Sequence, residues 1–173
     1  MASYDTIIPS DLQSKDFAFS EGKSNYGKFI NLNMKFTTPA LTTAWTCKIV
    51  HFGGTSASCN LALRMNNESF TSWMESMEEE LTGIVRRLTE TNKSVALLKP
   101  PYKPGYDKLF ISCLDFDAND NITTPIFDSK GNICTRLEEG HIVEADVTLK
   151  YIFIGKNGTT SVKAQANKVT IMN

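Results

Sequence analysis

The chain has 173 residues, of which 41% are hydrophobic and 21% charged, a composition typical of one domain that buries a substantial core. The net charge of −1 excludes a protein coated in positive charge, although it is compatible with a local basic groove. The sequence contains neither a secretory leader nor an apolar run of the roughly 20 residues that span a bilayer, which predicts a protein that is neither secreted nor membrane-bound.

The beginning of the chain predicts an arm followed by strands. Residues 1–25 are mixed and polar, so we expect a partly ordered arm, with a single domain over 26–173. Apolar and polar residues then alternate in three runs, which is the pattern of half-buried strands. Turns join the three predicted strands into a meander: 28–36, 44–52 and 58–65.

The period changes over 68–92, where apolar residues recur every three or four positions. This spacing predicts one amphipathic helix. Ser72 with Glu75 resembles a capping box, and Asn66 or Asn67 are alternative caps one turn earlier. The glutamates of the helix are interpreted as its solvated face.

Further strands follow the helix. Alternation in 141–155 predicts a long strand with Val143, Leu149, Tyr151 and Phe153 on one face. The whole order predicts a mainly β fold: an OB-like five-stranded barrel, with the helix between strands 3 and 4 and a long C-terminal hairpin. A β-sandwich is the competing fold. The later predicted strands are 108–116, 125–132, 141–155 and 159–172.

The sequence contains no pattern that predicts catalysis or a metal site. Residues 115–126 resemble a calcium loop, but Asp120 stands where that loop requires glycine and Ile126 where it requires glutamate. The two histidines have no accompanying C-x-x-C pair, so zinc is not expected either. We therefore expect no enzyme activity, no metal and no cofactor.

Aromatic rings and cations are interleaved in the stretch LKPPYKPGYDKLFIS, residues 98–112. Tyr102 and Tyr106 lie among prolines and glycine without apolar neighbours, and Lys108 and Phe110 share a strand face that we expect to point outward. Single-stranded nucleic acid binds to such mixtures, because bases stack on rings and phosphates pair with cations. The predicted nucleic-acid-binding residues are Lys28, Lys35, Trp45, Lys48, Lys99, Tyr102, Lys103, Tyr106, Lys108, Phe110 and Lys150.

Three short motifs carry a resemblance to a known family. They are a Lys99-Pro100-Pro101-Tyr102 segment that leads into a strand, a turn from Pro125 to Gly131, and a Gly140-to-Val143 start of a long strand. Their order resembles the single-stranded-DNA-binding proteins of short-tailed phages and related OB-fold proteins of large eukaryotic DNA viruses. The resemblance implies an OB fold that coats single-stranded DNA in replication, recombination and repair.

The resemblance also implies a homodimer, replication proteins as further partners, and a location in the cytoplasmic or nuclear compartment of an infected host cell. The phage proteins end in a long acidic tail, whereas this sequence ends VTIMN, so the means of recruiting partners stays open. An alternative is a viral structural or oligomeric interaction protein that uses the apolar helix face, including Trp73, as its interface. A barrel that binds or converts a small molecule is a third hypothesis.

Overall fold

The computed structural model describes residues 4–15, 17, 19–21 and 27–173. The predicted arm therefore lies partly outside the described residues, and the division into arm and domain stays a prediction. Within the described part, a 3-10 helix at Pro9–Ser14 packs against the α-helix. The Tyr4 ring lies 4.9 Å from the Phe70 ring, and Trp73 Nε1 donates a hydrogen bond to the Ile7 carbonyl at 2.8 Å. These contacts anchor the beginning of the chain to the helix.

The described residues form eleven strands and one α-helix, α1, which covers Glu68–Leu88 and follows the fifth strand. The strands are β1 Phe19–Glu21, β2 Gly27–Thr37, β3 Leu41–Thr42, β4 Ile49–His51, β5 Ala57–Arg64, β6 Leu98–Lys99, β7 Leu109–Cys113, β8 Ile126–Phe127, β9 Ile133–Cys134, β10 Ile142–Gly155 and β11 Thr160–Ile171.

The strands pair into an open mixed sheet in the order β1-β2-β10-β11-β7-β5-β4. β7 and β11 run parallel, and the other neighbours on this path are antiparallel. An isolated bridge between Thr43 and Leu63 links the end of β3 to β5, so the sheet curls back toward itself. This arrangement is consistent with an OB-like fold.

The expectation of a five-stranded barrel is wrong, because the described residues form an open sheet of eleven strands. The helix accordingly lies between the fifth and sixth strands. Predicted strands are shorter in the structure than in the sequence pattern. Within the predicted strand 44–52, only Ile49–His51 forms a strand. Ahead of it, the Cys47 N–H donates to the Leu137 carbonyl at 2.9 Å, so the backbone hydrogen-bonds a loop instead of the sheet.

The apolar face of α1 lies in the core of the protein. Its buried residues include Phe70, Trp73 and Met77, and Phe70 stacks on Trp73 at 5.8 Å between ring centroids. The interaction surface that the alternative hypothesis placed on this face is therefore covered by the chain itself. No helix in the described part of the chain is long and apolar enough to cross a membrane.

One helix glutamate has a structural role that the interpretation of a solvated face did not include. Glu78 Oε2 accepts hydrogen bonds from the Leu97 N–H at 2.7 Å and the Leu98 N–H at 3.0 Å. Glu78 thereby holds the segment that leads into the proline-rich stretch. Glu75 and Glu79 are exposed, as predicted.

The N-cap of α1 is Asn67, whose side-chain oxygen accepts from the Phe70 N–H at 2.9 Å, and not Ser72. We expect Asn67→Ala to lower the free energy of unfolding by about 1 kcal/mol, because one buried helix-end donor loses its partner. Urea denaturation followed by far-UV circular dichroism measures this change. Ser72→Ala is the matched control, and an equal loss in both variants would contradict the assignment of the cap.

A bulge reverses the faces of β10. Lys150 is an extra residue relative to β11, because Leu149 and Tyr151 pair with the consecutive residues Ala164 and Lys163. On the other side, Leu149 pairs with Met34 and Tyr151 with Asn31, so there the additional residue belongs to β2. Beyond the bulge the buried residues are Ile152 and Ile154. The prediction that Tyr151 and Phe153 share a face with Val143 and Leu149 is wrong, because an inserted residue shifts the two-residue period by one.

Candidate nucleic-acid interface

Three aromatic rings lie together on the outer face of β2 and β10, and we call them the outer aromatic cluster: Phe29, Tyr151 and Phe153. The Phe29 centroid lies 5.1 Å from Tyr151 in an edge-to-face arrangement and 5.0 Å from Phe153. Phe29 and Phe153 are opposite each other in the β2–β10 register. All three rings are only partly buried, so apolar ring surface remains accessible.

The outer aromatic cluster borders a depression of about 340 Å³ whose other walls are Ser161, Val162 and Lys163. Lys163 is opposite Tyr151 in the β10–β11 register and is the charged residue of this lining. Its Nζ lies 3.1 Å from Cys113 Sγ on β7, the strand on the other side of β11 from β10. The depression thus combines flat apolar surface with one cation.

Gly27 makes this arrangement possible at the start of β2. A Cβ there would lie 2.8 Å from the Phe153 ring and would clash with the Ile154 carbonyl oxygen, and its φ of +157° is one that side chains rarely adopt. Only glycine therefore lets Phe153 lie this close to the neighbouring strand.

A second group of rings lies at the proline-rich stretch, around a cavity of about 140 Å³ that we call the tyrosine cleft. Tyr102 and Tyr106 are 69% and 52% exposed and line it. The Trp45 ring contacts Tyr102 edge-to-face at 6.0 Å. Lys103 Nζ lies 5.7 Å from the centre of the Tyr102 ring, a cation–π distance.

Arg64 connects the tyrosine cleft to the sheet. Its Nη2 donates to Asp107 Oδ2 at 3.0 Å, and its guanidinium carbon lies 5.5 Å from the centre of the Tyr106 ring. Arg64 and Lys99 are each opposite Leu109, one on either side of β7, so the three side chains form a row on the outer face.

The structure brings together part of the predicted site. Trp45, Tyr102, Lys103 and Tyr106 meet at the cleft, and Lys99 lies in the row beside it. The other exposed lysines are dispersed: Lys35 lies on the outer face of β2, Lys150 at the bulge, Lys28 in a depression at the end of α1, and Lys48 in one beside residues 120–122.

The expectation that Phe110 points outward is wrong, because Phe110 lies on the inner face of β7, whereas Lys108 precedes the strand and is exposed. Phe110 is 1% exposed, and its ring lies 6.1 Å from Phe36 in the core. Lys108 lines a depression with Glu75 and Glu79 of α1, away from the tyrosines.

Sequence reasoning missed Arg64 and Lys163, and it placed Tyr151 and Phe153 on the wrong face. Arg64 lies in the predicted strand 58–65, where no neighbouring residue in the sequence marks it as functional. Only the sheet register brings it close to the Tyr106 ring. The adjacent cation-ring pairs Lys28-Phe29 and Lys150-Tyr151 were the available signals for the outer aromatic cluster, and the bulge determined which way Tyr151 points.

The stretch that resembles a calcium loop is a hydrogen-bonded turn. Asp117 Oδ1 accepts from the Asn119 and Asn121 N–H groups at 2.9 and 3.0 Å, and the Asn121 hydrogen bond is the main cause of the lowered pKa of Asp117. No group of three potential metal ligands occurs among the described residues.

The four cysteines are free thiols in the structure. Burial, and then the charge of Cys59, raise the pKa of Cys47 to about 12. Cys47 is therefore a buried thiol that stays protonated at neutral pH.

The fold and the outer-face clusters define a mainly β protein with one core helix and aromatic-cationic surfaces. Solved structures of phage single-stranded-DNA-binding proteins have the same fold. One is the protein of bacteriophage Enc34 in complex with single-stranded DNA, at 11% identity, with 89% of this chain and 94% of that chain covered and a TM-score of 0.57.

A second is gp2.5, the single-stranded DNA-binding protein encoded by bacteriophage T7, at 16% identity, with 80% and 91% covered and a TM-score of 0.55. The C-terminal truncation of the Enc34 protein gives 9% identity, 92% and 95% coverage, and a TM-score of 0.56. The resemblance to phage single-stranded-DNA-binding proteins is thus confirmed at the level of the fold. No protein-family model and no curated protein matches this sequence.

Proposed function

We propose that the protein binds single-stranded DNA without catalysis, by stacking bases on exposed rings and pairing phosphates with lysines. The observation that carries this proposal is the outer aromatic cluster beside Lys163, on a fold shared with phage single-stranded-DNA-binding proteins. Rings on an outer sheet face with an adjacent cation suit a flexible polymer of bases and phosphates.

The outer face of the sheet supplies a path between the two ring clusters. Leu109 at the tyrosine cleft and Cys113 beside Lys163 lie on the same face of β7, four residues apart. At about 3.3 Å rise per residue, this separation is about 13 Å along the strand. One strand of DNA can therefore contact both clusters, and its bases can stack on the exposed rings of each.

As finer parts of the proposal, the protein coats single-stranded DNA during replication, recombination and repair inside an infected host cell. It acts as a homodimer with replication proteins as partners. The support for these roles is the resemblance in fold and motifs.

The direct test is fluorescence anisotropy with a labelled oligo-dT of about 30 nucleotides, longer than the roughly 4–16 nucleotides that one OB fold covers. We expect binding that weakens as salt rises, with log K falling against log salt at a slope of about −2 if Lys99, Lys103 and Lys163 each neutralise one phosphate. Duplex DNA of the same length is expected to bind more weakly, because its bases are not free to stack. No binding at low salt would refute the proposal.

Lys163→Gln tests the cation of the outer aromatic cluster. We expect the variant to reduce the magnitude of the salt slope by about 0.7, because one phosphate contact is lost. Lys130→Gln is the matched control, since Lys130 is exposed on the turn between β8 and β9. An unchanged slope in Lys163→Gln would place the phosphate path elsewhere.

A further inference from the structure

Two of the four thiols are accessible to small molecules from solvent. Cys113 and Cys134 are half-buried, whereas the other two cysteines are buried. The two accessible sulfurs have different neighbours. Cys134 Sγ contacts the Asn132 carbonyl oxygen at 3.8 Å, whereas Cys113 Sγ lies 3.1 Å from the amine nitrogen of Lys163. Cys113 therefore combines access for an oxidant with a nitrogen nucleophile beside the sulfur.

The sheet brings Cys113 and Lys163 together although they are 50 residues apart in the chain. In the parallel bridge between β7 and β11, Cys113 is opposite Gln165, two residues beyond Lys163. The Gln165 side-chain amide also donates a hydrogen bond to the Cys113 carbonyl at 3.1 Å. On its other side, Cys113 is opposite Asn60 of β5. Because a strand pairs with Cys113 on each side, the fold keeps its sulfur within reach of the Lys163 side chain.

A thiol and an amine at this distance react once the sulfur is oxidised. Peroxides convert an accessible thiol into a sulfenic acid, whose sulfur is attacked by a thiol or by a nitrogen. Attack by a nitrogen gives a sulfenamide, in which sulfur and nitrogen share a covalent bond. The Lys163 amine already lies at contact distance from the Cys113 sulfur, so the attack requires no rearrangement of the sheet.

We propose that Cys113 and Lys163 form an oxidation-sensitive modification site, in which a peroxide couples their sulfur and nitrogen and thereby weakens the binding of single-stranded DNA. Lys163 is the charged residue in the lining of the depression at the outer aromatic cluster. A sulfenamide nitrogen is neutral, so the coupling removes this cation from the DNA-binding face. The effect on DNA rests on the proposed function, whereas the formation of the bond does not.

The reaction balances in two steps. In the first, the Cys113 sulfur attacks one peroxide oxygen, the S–O bond forms as the O–O bond breaks, and the other oxygen leaves as water with the thiol proton. The sulfur loses two electrons, which the peroxide gains. In the second, Lys163 gives its ammonium proton to solvent and its amine attacks the sulfur. The S–N bond forms as the S–O bond breaks, and the hydroxyl leaves as water with an amine proton.

Peptide mapping tests the bond. The protein is treated with hydrogen peroxide, the excess is destroyed with catalase, and the protein is digested with trypsin without reductant. We expect peptide 109–130 linked to peptide 157–168, with cleavage blocked after Lys163 and a mass two hydrogen atoms below the sum of the two peptides. Dithiothreitol is expected to separate them, because a thiol attacks the oxidised sulfur and releases the amine.

Variants assign the bond to this pair. We expect no linked peptide in Cys113→Ser or in Lys163→Arg, which keeps a cation but lacks the primary amine. Cys134→Ser is the matched control and is expected to form the link as the wild type does, since Cys134 is the other half-buried thiol. A wild-type protein that forms no link, or a link that survives in Cys113→Ser, overturns the inference.

Anisotropy with the labelled oligo-dT tests the effect on binding. Peroxide is expected to reduce the magnitude of the salt slope by about 0.7 in the wild type, because one phosphate contact is lost. Dithiothreitol is expected to restore it, and Cys113→Ser is expected to show no change on treatment. A linked protein with an unchanged slope overturns the inference and leaves the proposed function standing. An untreated protein that does not bind at low salt refutes the proposed function, and the peptide map then decides separately whether the bond forms.

Discussion

Replacing Tyr151 and Phe153 together with alanine is expected to weaken oligo-dT binding by at least about 30-fold. Each base stacked on a ring contributes roughly 1–3 kcal/mol, so the loss of two platforms costs at least about 2 kcal/mol. The two rings lie on the outer face of β10 and contact Phe29, so their removal leaves the depression without its flat walls. Fluorescence anisotropy at fixed salt measures the change.

Two comparison variants sharpen this experiment. Tyr151→Phe/Phe153→Tyr keeps both rings and is expected to bind close to wild type. Tyr102→Ala/Tyr106→Ala removes the rings of the tyrosine cleft and separates the contribution of that cluster. If the outer double variant binds like wild type while remaining folded by circular dichroism, the outer aromatic cluster is not the stacking platform.

The second large effect is on stability: Phe110→Ala is expected to lower the free energy of unfolding by about 3–5 kcal/mol. Phe110 is 1% exposed and packs near Phe36, so truncation removes apolar contacts and leaves a cavity. Urea denaturation monitored by tryptophan fluorescence is a suitable measurement, because Trp73 packs on Phe36 at 5.1 Å.

Phe110→Leu is the control for volume and is expected to lose less stability than Phe110→Ala, since it leaves a smaller cavity. Tyr102→Ala, at an exposed position, is expected to change stability by no more than about 0.5 kcal/mol. A Phe110→Ala protein with wild-type stability and weakened DNA binding would contradict the core placement and restore Phe110 to the interface.

These two experiments concern residues that the sequence pattern assigned to the wrong face. For Phe110, the alternation of polar and apolar residues does not state which face of a short strand meets the core. For Tyr151 and Phe153, the predicted alternation continued past Lys150, where the strand has a bulge. A bulge depends on the pairing of both neighbouring strands, and no single segment encodes it.

Other elements were predictable because they depend on short-range chemistry. The helix followed from apolar spacing over 68–92, and its cap was one of two asparagines named in advance. The exposure of Tyr102 and Tyr106 followed from prolines and a glycine that prevent a regular strand or helix there. The long hairpin of β10 and β11 followed from the two predicted strands 141–155 and 159–172, which only three residues, Lys156-Asn157-Gly158, separate.

The amino-acid sequence was thus sufficient for the mainly β class, the single helix, the C-terminal hairpin and an exposed aromatic stretch, because each depends on local periodicity or turn chemistry. Only the tertiary structure showed the inner position of Phe110, Arg64 beneath Tyr106, and an open sheet to which the described part of the chain contributes eleven strands. It also turned Tyr151 and Phe153 outward beside Phe29 and Lys163. The physical reason is that strand register and bulges join residues far apart in the chain, so the face a side chain occupies is set by its neighbours in the sheet.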